Sequence, residues 1–328
     1  MVYISLIIPV YNVEKYLEKC LNSCVQQNIS ENEYEIIIIN DGSTDDSPII
    51  AKKFESNQNN IILITQQNQG LSAARNKGLS IAKGEYVWFI DSDDYIEKNC
   101  LKTILDNCIK YQLDALAICS ANIFGENIVK RFDYTDSNIY IGKDFMKENN
   151  FQICVPFTIY NRKFLLKNRL RFYTGIYHED SEFSPRAYYL LNRIKAINDT
   201  FYFVNQNPNS ITRTVNPKKS FDLIKICDNL RNFSFGIEEA YKQTFNLLIS
   251  YNLNACLYNS MIMNNEDKKK LNVLLYENKH LFKYLIKSGN HYFIFEGFFF
   301  TVFRKKTVEL YRLFRKIKDL NMYSKRSN

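Results

Sequence analysis

Two carboxylates two residues apart, Asp91 and Asp93, follow the apolar run Tyr86–Ile90. Such a pair at a strand end can share a hard divalent cation and leave coordination positions open for phosphate oxygens. A further carboxylate, Asp41, follows the apolar run Tyr34–Ile39, with Gly42 next to it allowing close approach to the backbone. Downstream, Tyr177-His178-Glu179-Asp180 stands where helical spacing begins, over Ser181–Leu191. A carboxylate at a helix start serves either as an electrostatic cap or as a base near a reacting hydroxyl. Acidic groups at several separate positions therefore point to metal-assisted chemistry on a phosphorylated substrate.

The elements that would position them alternate. Apolar runs at Tyr3–Pro9, Tyr34–Ile39, Ile61–Ile64 and Tyr86–Ile90 read as buried strands. Between them, helical spacing predicts helices over Val13–Val25, from Asp45 to about Phe54, and over Leu71–Ala82. Asp45 reads as a helix cap, and Asp94 as the cap of a helix starting near Glu97. Strand and helix in strict alternation predict an α/β fold with a doubly wound sheet. Ligands bind such sheets at the carboxyl ends of the strands, where Tyr11-Asn12, Asn40–Asp45 and Asp91–Asp94 fall. No GxGxxG follows the first strand, which disfavours a dinucleotide fold, and the absence of GxxxxGK[ST] excludes a P-loop.

The chain resembles the inverting glycosyltransferases of family 2, of the bacterial surface-polysaccharide type. The matching segments are Leu6–Asn12, Ile39–Asp45, Asn68–Gly78, Gly84–Tyr86, Asp91–Asp94 and His178–Asp180. They are dense over roughly 3–100 and sparser to about 213. The resemblance implies a GT-A fold: a Rossmann-like, mostly parallel sheet flanked by helices, here with a mainly helical C-terminal extension. It divides the chain into a transferase domain, 1–215, and a helical region, 216–328. Within the first, 1–100 would bind the nucleotide sugar and 101–215 the acceptor.

The resemblance also distributes roles. Pro9 and Tyr11 would wall the nucleobase, with Asn12 beside them, and Asp41 would accept from the base imino N–H. Gly70, Arg75, Asp91 and Ser92 would complete the nucleotide-sugar site, with Asp91 facing the ribose. Asp93 would bind the divalent metal, Mn²⁺ or Mg²⁺. Asp180 would be the catalytic base, with Glu179 the competing carboxylate and His178 near metal or phosphate. Bland readings stand beside these: Tyr11 as a core ring, Arg75 as a surface charge, Asp180 as a helix cap. The chain departs from the family at Phe203–Asn209, where Asn205 occupies the usual Arg position; Arg213, after Ser210-Ile211-Thr212, is the basic residue left to meet a diphosphate.

The implied reaction moves a sugar from a nucleoside diphosphate, UDP foremost, to a glycan or lipid-linked acceptor. The alternative is a non-catalytic nucleotide- or glycan-binding scaffold of a membrane assembly. Tyr134, Tyr140, Phe157, Phe172 and Tyr173 are candidates for stacking on sugar rings, in a chain where 15% of residues are aromatic.

The net charge of +8 is unevenly placed. Residues 267–328 hold 15 Lys and Arg against 5 Asp and Glu, so the body before them is close to neutral. Phe299, Phe303, Leu310, Phe314 and Ile317 are expected on one face of a last helix, with Lys305, Arg312, Arg315 and Lys316 opposite. Such a segment, about 292–320, suits an anionic membrane surface, a homodimer contact or packing on the body. Nucleic acid is not expected, because the aromatics do not interleave with the charges. Eight cysteines without metal-ligand spacing read as reduced core residues. With no apolar stretch long enough to span a bilayer and an N-terminus that reads directly as a strand, the expected location is cytoplasmic or peripheral on the inner membrane face.

Overall fold

The computed structural model describes residues 1–148, 151–206, 216–303 and 305–324, with side chains as far as residue 315. Its residues group into two compact units: 1–175 with 183–212, and 176–182 with 213–328.

The first unit is built on a ten-stranded sheet. Strands β1 (Ile4–Val10), β2 (Tyr34–Asn40), β3 (Ile61–Thr65) and β4 (Tyr86–Phe89) pair in parallel in the order β3-β2-β1-β4. Helices α1 (Glu14–Val25), α2 (Ser47–Asn57) and α3 (Leu71–Ile81) connect them. Every residue of β1 and β2 is buried, as unbroken apolar strands require when helices cover both faces. Two of the buried polar exceptions, Ser5 and Glu35, satisfy each other. Ser5 Oγ donates to Glu35 Oε1 at 2.6 Å, which also accepts the Lys83 N–H at 2.6 Å. Gly84 N–H donates to Ser5 Oγ, and a Cβ at Gly84 would stand 2.5 Å from the Ser5 nitrogen, so only glycine closes this turn.

The sheet continues through β9 (Thr158–Asn161), antiparallel to both β4 and β6 (Ala115–Phe124). Next comes β10 (Ile194–Asn205), parallel to β6, with the short β5 (Tyr95–Ile96) antiparallel on its far edge. Two more short strands, β7 (Asn127–Lys130) and β8 (Ile139–Tyr140), pair antiparallel with β6 and β10. The expected mostly parallel sheet is thus parallel in its first half and mixed in its second.

Asp45 lies two residues before α2, and its carboxylate accepts the first N–H of that helix, Ser47, at 3.1 Å and also the first N–H of α1, Glu14, at 2.9 Å. Two other local expectations are corrected. Asp94 caps no helix. Residues 95–96 are held as a strand against β10, and α4 (Leu101–Lys110) begins later, where Gln27 Oε1 accepts the N–H groups of Cys100 and Leu101. Among the proposed sugar-stacking rings, Tyr134, Phe157 and Phe172 are buried in the core, while Tyr173 is exposed.

The remaining elements of this unit are α5 (Gly142–Glu148), α6 (Arg162–Lys167) and α7 (Glu179–Leu190), whose first turn groups with the second unit. The second unit is helical: α8 (Pro217–Ser234), α9 (Glu239–Asn259), α10 (Asn265–Glu277), α11 (Phe282–Ile286), α12 (His291–Val302) and α13 (Thr307–Ser324). Its core includes Leu223, Ile226, Cys227 and Leu230 on one face of α8, with Leu253, Cys256 and Leu271. The expected single last helix is two. Phe303 N–H closes α12 on the Phe299 carbonyl, and Asn272 Oδ1 accepts the Val308 N–H to start α13 afresh. Seven of the eight cysteines are buried and Cys154 is partly so.

Candidate functional site

The carboxyl ends of β1, β2 and β4 share one edge of the sheet because these strands are parallel and adjacent. After β1 the chain turns at Asn12, which has a left-handed backbone (φ 52°). Its Oδ1 accepts the Thr44 N–H at 2.8 Å, and its own N–H donates to Ser43 Oγ at 3.1 Å. Asn12 therefore ties the first loop to the second. Pro9 is buried inside β1 and offers no surface to a ligand, whereas Tyr11 is 47% exposed and does.

Asp41 is 2% exposed, and the loop 66–70 is wrapped around its carboxylate. Oδ1 accepts from Gln66 Nε2 at 2.8 Å and the Gln69 N–H at 2.9 Å; Oδ2 accepts the Gly70 N–H at 2.8 Å. Gly42 (φ 75°) is needed for the same loop: a Cβ there would stand 2.9 Å from the Asn68 nitrogen. The close approach expected at Gly42 is thus made by the protein's own backbone.

The third loop carries the acidic run. Asp94 N–H donates to the Asp91 carbonyl at 3.0 Å, forming a tight turn. Arg75, on α3, is buried and pairs with Asp91 (Nη2 to Oδ1, 2.7 Å), so the alternative reading as a surface charge does not hold. Strand β10 braces the turn from the other side. Tyr202 Oη accepts the Asp91 N–H at 3.1 Å, the Asn205 N–H donates to Asp94 Oδ1 at 2.8 Å, and Asn205 Nδ2 donates to the Asp93 carbonyl at 2.5 Å. Ser92 and Asp94 are buried; Asp91 and Asp93 are partly exposed. Burial pushes the Asp94 carboxyl well above the usual carboxylate range, and the charges of Asp93 and Asp91 add to it. Of these braces, Tyr202 carried no signal in the sequence. Asn205 carried one, by standing at the position of a family Arg.

The acidic segment that opens α7 groups with the helical unit. His178 has a left-handed backbone (φ 60°), and its carbonyl accepts the Ser181 N–H at 2.9 Å. Its Nε2 is buried with no hydrogen-bond partner. Burial, helped by the Lys219 charge and opposed by Asp222, lowers the imidazole below its ordinary 6.5. Glu179 is buried and Asp180 is partly exposed, so Asp180 is the carboxylate of the two with the greater access. Arg213 and Ser210-Ile211-Thr212 lie outside the described residues.

Comparison with known proteins agrees with this architecture. The family model "Glycosyl transferase family 2" matches residues 5–170. The glycosyltransferase GlyA of Streptococcus pneumoniae is 32% identical over 251 residues, covering 72% of this chain and 36% of that protein. EpsJ of Bacillus subtilis, an uncharacterized glycosyltransferase, is 32% identical over 64% of this chain and 62% of its own length. GlyG of S. pneumoniae, also a glycosyltransferase, is 30% identical over 72% of this chain and 80% of its own length. The chain thus matches less than two thirds of the length of GlyA and of EpsJ, but most of GlyG. Among solved structures, residues 1–349 of S. aureus TarS, in complex with UDP-GlcNAc, superpose with a TM-score of 0.73 at 24% identity, covering 95% of this chain and 92% of that one. A mannosyltransferase of Pyrobaculum calidifontis, PcManGT, in complex with GDP-Man and Mn²⁺, gives 0.54 at 14% identity. These structural likenesses establish the GT-A fold expected from the sequence.

Proposed function

Because the chain belongs to glycosyl transferase family 2, we propose that it transfers a sugar, with inversion, from a UDP-sugar to a glycan or lipid-linked acceptor in surface-polysaccharide synthesis. The observation that carries this reading is the braced turn Asp91–Asp94 at the carboxyl end of β4, with Arg75 buried behind it. UDP-GlcNAc in TarS is the donor precedent.

The donor set suits a divalent cation. Among the described residues no three His, Cys, Asp or Glu groups gather as a protein-only metal cage. One or two carboxylates at a partly exposed turn instead match a cation completed by phosphate oxygens and water. Asp93 would hold it, with Asp91 alongside; when bound, the ion neutralises charge on the departing diphosphate. Tyr11 supplies an exposed ring for the base, and the loop 66–70, held by Asp41, borders the nucleotide. Asp180 takes the proton of the acceptor hydroxyl as its oxygen attacks the anomeric carbon and the bond to the diphosphate breaks.

UDP release from a panel of UDP-sugars, with and without Mn²⁺, tests the reading. Asp93→Asn and Asp180→Asn should each lower turnover by at least about 100-fold. Wild-type turnover in both variants would sink it. UDP binding without transfer to any acceptor or to water would favour a non-catalytic scaffold.

For the acceptor side, we propose peripheral attachment to an anionic bilayer through the end of the helical unit. Phe295, Phe298, Val302, Phe303 and Leu313 are each half or more exposed, close in sequence to Lys305, Lys306 and Arg312. No described helix is long and apolar enough to cross a membrane. Co-sedimentation with phosphatidylglycerol vesicles should fall in Phe298→Ser/Phe303→Ser and at high salt. A salt-independent dimer in place of vesicle binding would assign the patch to a second copy of the chain.

A further inference from the structure

Asp222, on α8, is fully buried within the helical unit. A buried carboxylate requires partners on both oxygens. Oδ1 pairs with Lys225 Nζ at 3.1 Å. Oδ2 pairs closely with Lys218 Nζ and also accepts the backbone N–H of Tyr177 at 3.1 Å. That last bond leaves the helix for the segment carrying His178-Glu179-Asp180. Two further contacts reach the same residue: Asn216 Nδ2 donates to Tyr177 Oη at 3.2 Å, and Lys218 Nζ lies 5.2 Å from the Tyr177 ring centroid.

The next residue, His178, holds a left-handed backbone that non-glycine residues rarely adopt. Such a conformation persists where its surroundings over-determine it. Here the chain is held on one side by the Tyr177 N–H on Asp222 and on the other by the Ser181 N–H on the His178 carbonyl. The left-handed residue turns the chain into α7, so its conformation decides where the second residue of that helix, Asp180, points. Residues 176–182 also group with the helical unit rather than with the sheet.

We propose that Asp222 is a positioning residue for the reaction: through the Tyr177 N–H it fixes the left-handed turn at His178 and thereby the direction of the Asp180 carboxylate. This rests on the assignment of Asp180 as base. Lys218 and Lys225 pair with the two Asp222 oxygens and hold the side chain in place. Asp222 touches neither substrate nor reacting atoms in this scheme.

The test uses the full chain and UDP release from the UDP-sugar that the wild type turns over best. Asp222→Leu removes the acceptor; Asp222→Asn keeps the shape and one oxygen for the Tyr177 N–H. Asp222→Leu should lower kcat by on the order of 100-fold with the donor KM within about twofold, and Asp222→Asn should recover most of that loss. In an Asp180→Asn background, Asp222→Leu should lower kcat no further, because a residue acting through Asp180 has nothing left to position. Should Asp222→Leu not fold, Asp222→Asn and its double mutant carry the same comparison, with a loss of a few fold expected only while Asp180 is present. Hydrogen exchange of peptides spanning 176–182 should speed up in parallel. Asp180→Asn inactive beside Asp222 variants of wild-type kcat would overturn this inference alone. Additive losses in the double mutant would overturn it too, by placing Asp222 in a merely structural role. Full turnover in Asp180→Asn would instead remove the base assignment and this inference with it.

Discussion

Arg75 Nη2 lies 2.7 Å from Asp91 Oδ1, and the two differ sharply in exposure: 1% for the arginine and 30% for the aspartate. The pair therefore has a buried cation behind and a carboxylate in front. The Phe172 ring, 5.2 Å from the guanidinium carbon, packs beside the cation. Removing the carboxylate would take a charged partner from a buried guanidinium, and removing the arginine would leave the acidic turn with an excess of negative charge.

Arg75→Met keeps much of the side-chain volume but not the charge. Breaking a buried pair by deleting one member destabilises by about 3–5 kcal/mol. Since Asp91 retains contact with water, the lower end, about 3 kcal/mol, is expected. Urea unfolding of the variant measures it. A loss under about 1 kcal/mol would mean that the pair contributes no more to stability than an exposed ion pair does.

Asp41 has three hydrogen-bond donors around a buried carboxylate, two of them backbone N–H groups. Asp41→Asn turns one acceptor into a donor facing a donor. Hydrogen bonds to a charged group are worth about 1.5–3 kcal/mol, so a loss in this range is expected with a disordered loop 66–70. UDP titration calorimetry should show affinity reduced by on the order of 10-fold in Asp41→Asn. Retained affinity in a destabilised variant would separate the loop's structural task from nucleotide binding.

The parallel half of the fold was legible because β1, β2 and β4 are continuous apolar runs ending in polar clusters. Their order along the chain also places those clusters on one edge. What the acidic and basic residues do there was not legible. Arg75 reads as a cleft or surface charge until α3 is packed on the sheet, which buries it against Asp91. Asp94 reads as a cap because capping is local, whereas its actual partner, the Asn205 N–H, is 111 residues away. Asp222 stands among lysines in a segment that looks solvated, and only the folded helical unit shows it buried beneath Tyr177. The break between α12 and α13 is set in the same way, by Asn272, a distant side chain that accepts the Val308 N–H. Sequence periodicity reports which face is apolar, but long-range polar partners are set by packing.

Asn205 gives a direct check on the braced turn. Its side-chain amide holds the Asp93 carbonyl and its backbone N–H holds Asp94. Asn205→Ala deletes the first and leaves the second. Groups that orient a metal ligand without touching the ion typically alter metal affinity by about 10–100-fold. The Mn²⁺ concentration for half-maximal UDP release should therefore rise by on the order of 10-fold, with little change at saturating Mn²⁺. Unchanged Mn²⁺ dependence would show that Asp93 is placed without the help of β10.

His178 sets a pH dependence whose sign follows from its surroundings. Burial is the main cause that lowers its imidazole below 6.5; Lys219 adds to the effect, and Asp222 opposes it. The imidazole thus binds its proton less readily in the folded chain than in the unfolded one. Its contribution to stability is present above 6.5 and is lost as pH falls from there through the lower folded value. His178→Asn removes the titration while keeping a residue tolerant of the left-handed backbone. Between about pH 7.5 and about pH 5.5, wild-type Tm should fall by a few degrees more than that of His178→Asn. Carboxylates that titrate at lower pH act on both proteins alike and cancel in the difference. Parallel Tm curves would mean that the folded imidazole accepts its proton as easily as the unfolded one, and that the buried Nε2 has found a partner.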